Sequence, residues 1–121
     1  MSESVVALVD DLMFASRIAE AARPAGISLG RVRSPEALRE RCRGASPGLV
    51  VLDLDADRLE PLRALRELLA EPALSGVRVV GFVSHVDVQR AAAAREAGCE
   101  VMSRGDFVRE LPALLAGLAG G

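Results

Sequence analysis

The chain contains no lysine, asparagine, threonine, tyrosine or tryptophan, so all fifteen of its basic residues are arginine. Any cluster of acidic side chains must therefore find its counter-charge in a planar guanidinium or a metal ion, never in a compact ammonium. Cysteine is scarce as well. Cys42 and Cys99 make neither a disulfide framework nor a metal-ligand spacing, and both read as buried packing thiols. No apolar run approaches the roughly 18 residues of a membrane span, and Met-Ser-Glu-Ser at the start has no basic leader region, which points to the cytoplasm. The net charge is −2 and the arginines are dispersed, which argues against direct nucleic-acid binding. The absence of lysine and asparagine beside abundant alanine, arginine, glycine and leucine fits a GC-rich coding sequence.

What is present is half hydrophobic and about a quarter charged, in 121 residues, the size of one compact domain with its own core. Val5 to Val9, Ile27 to Val32, Leu49 to Leu52, Val77 to Val83 and Val101-Met102 are five short apolar runs, read as strands buried on both faces. Helical segments alternate with them. The first runs from Asp11 to Arg23, ahead of Pro24. The second opens at Ser34-Pro35-Glu36, which supplies a cap, a first-turn proline and a dipole-compatible acid. A third is expected from about Asp57 to Ala70, with Pro61 tolerable only in its first turn. The fourth, Val88 to Ala97, has Asp87 as cap and Gly98 as left-handed exit. The fifth is expected from about Val108 to Leu118, with Pro112 disturbing its early turns. Five β-α alternations joined by right-handed crossovers predict an α/β fold: a doubly wound, five-stranded parallel sheet of order 2-1-3-4-5.

In that order strands one and three are neighbours. Asp10 and Asp11 then meet Asp53 at the topological switch point, where such sheets place their ligands, and Ser84 at the end of strand four borders the same crevice. Acids in this setting suit a divalent metal and a phosphoryl group. Without an ammonium among them, Asp10, Asp11 and Asp53 are expected to raise one another's pKa values, so that Asp11→Asn would relieve strain.

Val9-Asp10-Asp11, Val51-Leu52-Asp53 and Val83-Ser84 together resemble, in order and spacing, the receiver domain of bacterial two-component response regulators, of the flavodoxin-like, chemotaxis-regulator type. The resemblance covers nearly the whole chain, 1–121, as one receiver-like domain. It implies that Asp53 is the phospho-acceptor in a phosphorelay and that Asp10 and Asp11 are magnesium-side acids. A Mg2+ ion would be completed by Asp53 and the backbone carbonyl of Asp55, and Ser84 would bond a phosphoryl oxygen and report to helix four. The implied partners are a histidine kinase, a phosphotransfer protein or an output protein. A face made of helix four, strand five and helix five is also implied, with room for a homodimer. On this reading the chain is a stand-alone signalling domain and not an enzyme.

Three departures separate the chain from the family pattern. The family's lysine after strand five is missing, and the nearest cation is Arg104, in a register shifted by one residue against Phe107. Asp57 stands in place of a proline and adds another acid near the metal position. His85, the chain's single histidine, stands beside Ser84 in place of a small residue, where it would crowd the phosphoryl pocket. These departures support an alternative, a degenerate pseudo-receiver that acts as a phosphorylation-independent protein-interaction module. A second alternative is a small haloacid-dehalogenase-like phosphohydrolase, because Val50 to Asp55 resembles that superfamily's nucleophile motif, with Asp53 as nucleophile and Asp55 as acid/base. The chain order opposes it, since the acidic pair precedes the nucleophile motif.

Two helical patterns complete the reading. At about 100° per residue, helix one buries Leu12, Ala15, Ile18, Ala19 and Ala22, carries Phe14 at the edge of that stripe and exposes Met13 beside the crevice. In helix four the run Ala91 to Ala94 favours helix formation and permits close approach of another helix.

Overall fold

The computed structural model describes residues 4–84 and 87–119. Five strands, β1 (Val5–Leu8), β2 (Leu29–Val32), β3 (Leu49–Asp53), β4 (Arg78–Val83) and β5 (Glu100–Ser103), pair in parallel in the order β2-β1-β3-β4-β5. The three central strands are buried throughout except for Arg78. The edge strands β2 and β5 alternate or remain half-exposed, because each has a neighbour on one side only. Leu8 lies opposite Leu52 in the β1–β3 register, which brings the acidic ends of these strands side by side.

Pleating sends alternate residues to opposite faces and so makes two cores. Val6, Leu8, Val50 and Leu52 meet Leu38 and Cys42 of α2 (Pro35–Ala45) and Leu65 and Leu68 of α3 (Pro61–Leu69). On the other face Val5, Ala7, Val9 and Val51 meet α1 (Leu12–Ala22) and α5 (Arg104–Ala119). That second core holds every aromatic residue in the chain. Phe82 lies 4.7 Å from Phe14 and 5.1 Å from Phe107, ring centre to ring centre. The remaining helix, α4 (Val88–Glu96), packs on the first face.

Local chemistry accounts for the ends of these elements. The Asp11 carboxylate caps α1 by accepting from Met13 N and Phe14 N, Ser34 Oγ accepts from Ala37 N at the start of α2, and Asp87 accepts from Arg90 N at the start of α4. Gly98 has φ of 109°, the left-handed exit expected after α4. Gly81 of β4 is a close-approach site: a Cβ there would lie 2.7 Å from Leu54 Cδ1 and 3.0 Å from Cys99 Sγ. Both cysteines are buried and unbridged, and burial pushes the Cys42 thiol up to about 11 and the Cys99 thiol up to about 12.

Four expectations are corrected. Helix three does not begin at Asp57: a single 3-10 turn, Asp57–Leu59, ends at Glu60 with φ of 50°, and α3 starts at Pro61, whose fixed φ suits a first helical position. Helix five begins four residues earlier than Val108, directly after β5, because Ser103 Oγ accepts from Asp106 N while Phe107, Leu111, Leu114 and Leu115 bind the helix to the core. In α1, Leu12 is 65% exposed and Phe14 is buried, since the aromatic cluster draws Phe14 inward. Ala19 is half-buried and does not belong to the buried stripe. Met13, as expected, is exposed.

Candidate functional site

The sheet brings Asp10, Asp11, Asp53, Asp55, Ser84 and Arg104 to its C-terminal edge, distributed over the ends of β1, β3, β4 and β5. Asp53, the last residue of β3, is 6% exposed and is the chain's buried charged residue among those described. Its Oδ1 accepts from the backbone N of Asp55 at 3.1 Å. Burial pushes its carboxyl above the usual carboxylate range. The Asp55 amide opposes that shift, the Asp55 charge adds to it, and Arg104 and Asp10 make smaller opposed contributions.

Asp10 lies in a nest of guanidinium groups. Its Oδ2 is bonded by Arg58 and its Oδ1 by Arg33 Nη2 at 3.2 Å. Arg31 reaches around from β2 to donate through Nη2 to the Asp10 carbonyl at 2.6 Å and through Nε to the Val9 carbonyl at 3.0 Å. The Arg58 hydrogen bond therefore holds the Asp10 carboxyl below the usual range, with Arg33 adding to it against desolvation. The expected mutual raising of pKa among the three acids does not describe the site. Asp53 is raised chiefly by burial, with Asp55 adding to it and Asp10 contributing least, and Asp10 is lowered because Arg33, just after β2, and Arg58, in the turn after β3, have already met its charge.

Asp11 is also committed. Oδ1 caps α1, and Oδ2 faces Arg104 Nη2 at 3.4 Å. The Arg104 guanidinium lies over the Phe14 ring at 4.2 Å and is 5.7 Å from the Phe82 ring centre. Phe14 and Phe82 thus form the floor on which Arg104 rests, and its charge is directed to Asp11. Relief of strain by Asp11→Asn loses its basis here, since the substitution would keep a cap acceptor but remove the ion pair with Arg104.

At the other side of the crevice the Asp55 side chain, and not only its carbonyl, is engaged. Its Oδ2 accepts from Ser84 N at 2.6 Å and from Ser84 Oγ. Arg90 of α4 donates through Nη1 to the Leu54 carbonyl at 2.7 Å and pairs through Nη2 with Asp57 Oδ1 at 2.7 Å. Asp57 accordingly turns toward α4 and does not join the acids around Asp10. His85 lies outside the described residues.

No protein-family model and no curated protein sequence matches the chain. Solved structures do. A response regulator from Hahella chejuensis superposes with a TM-score of 0.82 at 18% identity, over 97% of this chain and 95% of that one. The phosphorylated cyanobacterial phytochrome response regulator RcpA gives 0.75 at 18% identity over 98% and 91%, and the Mn2+-bound form of response regulator Rcp1 gives 0.70 at 18% over 91% and 89%. The chain has the receiver fold of response regulators.

Within this receiver fold the donors do not fit a divalent cation as they stand. Both carboxylate oxygens of Asp10 carry guanidinium bonds, and both of Asp11 are engaged. Among the described residues no group of three histidine, cysteine, aspartate or glutamate side chains is arranged to hold a metal. Sequence reasoning missed Arg33 and Arg58, which occupy the Asp10 carboxylate, and Arg31 and Arg90, which bind backbone carbonyls beside the site. A signal for Arg31 and Arg33 was present, since strand two is next to strand one in a receiver and a lysine-free acidic corner can draw on arginines near the end of that neighbour. Arg90 carried no such signal, because its contacts depend on how α4 packs.

Proposed function

We propose that the chain is a receiver-fold signalling domain that recognises a protein partner without depending on phosphorylation. The observation that carries this reading is the commitment of Asp10: Arg33, just after β2, and Arg58, in the turn after β3, already supply the positive charge that a divalent cation would bring to the acidic corner. The phosphorylated RcpA and Mn2+-bound Rcp1 structures support a phosphorelay role for the fold. In this chain, Mg2+ would have to displace Arg33 and Arg58 before Asp10 could serve it. Asp53 keeps the acceptor's place at the end of β3, but its carboxylate is buried beside Asp55 and lacks a facing ammonium. The phosphohydrolase reading needs Asp55 free to move a proton to or from a substrate, whereas here that carboxylate is bonded to Ser84. A binding role, with no catalytic step of its own, is consistent with both commitments.

The test combines Mg2+ titration with an acyl-phosphate donor. The wild-type melting temperature should not respond to millimolar Mg2+, and intact-mass spectrometry should show no phosphoryl adduct. The double variant Arg33→Ala/Arg58→Ala, which frees the Asp10 carboxylate, should acquire Mg2+-dependent stabilisation. A wild-type adduct that disappears in Asp53→Asn would overturn the reading and restore the phosphorelay role.

A further inference from the structure

Two hydrogen-bond donors of Ser84, its backbone N–H and its hydroxyl, converge on one oxygen, Asp55 Oδ2. The backbone N–H of Asp55 turns the other way and donates to Asp53 Oδ1. Asp55 therefore bridges the ends of β3 and β4 and places an anionic oxygen where two donors meet. An N–H and an O–H aimed at one anionic oxygen form the same charge-assisted pair that would serve a phosphoryl oxygen. The carboxylate uses that pair internally.

The residues flanking Asp55 carry the consequence to α4. Arg90 holds the carbonyl of Leu54 on one side of Asp55 and the carboxylate of Asp57 on the other. It also lies 3.7 Å from Asp87 Oδ2 at the N-terminus of its own helix. α4 buries only Ala91 and Ala94, so apolar area gives it little hold on the sheet. Its position follows the loop that Arg90 grips, and the Asp55–Ser84 bonds set the shape of that loop.

We propose that the Asp55 carboxylate is a built-in anionic latch: bonded to Ser84, it takes the place of a phosphoryl oxygen and, through Arg90, holds α4 in a single position without any modification of Asp53. The inference rests on the phosphorylation-independent reading and adds to it the residue that replaces the phosphoryl group. Placing this carboxylate beside Asp53 costs electrostatic energy, which the Ser84 donors offset.

Amide hydrogen exchange on the full chain tests the latch, with Asp55→Ala, Asp55→Asn and Arg90→Gln compared with wild type. In Asp55→Ala the Ser84 amide and the amides of Val88–Glu96 should exchange at least about tenfold faster, while α2 and α3 keep their wild-type rates. Arg90→Gln should loosen α4 and leave the Ser84 amide protected, because it cuts the tether but not the latch. Unchanged exchange in α4 of Asp55→Ala would overturn the proposal. If that variant exchanges faster everywhere, Asp55→Asn decides. It keeps an acceptor oxygen and removes the charge, so a rise confined to Ser84 and α4 supports the latch, and a uniform rise or none overturns it. Acyl-phosphate treatment of wild type separates the two ideas, since an Asp53 adduct would remove the phosphorylation-independent reading without altering how α4 responds to Asp55→Ala.

Discussion

α3 and α4 pack on the same face of the sheet, yet they are held in different ways. α3 buries Pro61, Ala64, Leu65 and Leu68, and ion pairs join its outer side to α2: Arg39 pairs with Glu67 at 2.8 Å and Arg63 with Glu36 at 3.0 Å, while Arg43 of α2 pairs with Glu71 just beyond the end of α3. α4 buries Ala91 and Ala94, leaves Val88 69% exposed and depends on Arg90 for its polar attachment. A fully buried leucine contributes on the order of 2 kcal/mol by area, and a buried alanine methyl much less. α3 is therefore fixed to the sheet by area, whereas α4 is placed by a few directed bonds that start at the candidate site. A signalling surface needs an element whose position a small number of contacts can decide, and in this molecule α4 meets that condition.

The largest expected effect is on the α3 side. Leu65→Ala should lower stability by about 2–5 kcal/mol, read by denaturant unfolding, because a fully buried leucine would leave a cavity between α3 and the sheet. Ala94→Gly in α4 should cost about 1–2 kcal/mol, from lost helix propensity and one lost buried methyl. Equal losses in the two variants would break the comparison.

A smaller effect, of opposite sign, is expected at Asp53, from which the chain leads into α3 by way of the loop that α4 grips. Its folded-state pKa is raised, chiefly by burial, so the native protein binds this proton more readily than the unfolded chain does. The ionised group then costs stability at neutral pH, and the cost disappears as pH falls through the raised folded value toward the unfolded value near ~3.9. Asp53→Asn, which can still accept from Asp55 N, should be more stable than wild type at pH 7 by on the order of 1 kcal/mol. The two proteins should converge below about pH 4. An advantage that persists at acid pH would mean that packing, not charge, produced it.

The α3–α4 contrast also shows which features could be read from the sequence. Leu65 and Leu68 announce a buried stripe, and Ser34-Pro35-Glu36 and Asp87 announce helix starts, because these signals act over a single turn. The beginning of α5 was hidden, since the bond from Asp106 N to Ser103 Oγ matters only once Phe107 is drawn into the aromatic cluster. Leu12 and Phe14 exchanged places for the same reason: the helical period defines a stripe, but the shape of the floor beneath it selects the residue that enters. The candidate site was legible as a set of positions at strand ends. The engagement of those positions was not, because Asp10, Asp55 and the second oxygen of Asp11 find their partners on segments 21 to 93 residues away.

By itself the sequence determined a five-stranded parallel sheet with Asp10, Asp53 and Ser84 at one edge, because apolar period, capping residues and right-handed crossovers are local or generic constraints that leave few topologies. It also determined that no lysine could neutralise that edge, which left arginine or a metal ion. Only the tertiary structure decided which arginines would do so, that Arg58 and Arg33 hold Asp10, that Arg104 rests on Phe14 and faces Asp11, and that Asp55 turns to Ser84. A long flexible side chain can reach several partners from one backbone position, and the choice among them is made by packing and desolvation once the strands have been brought together.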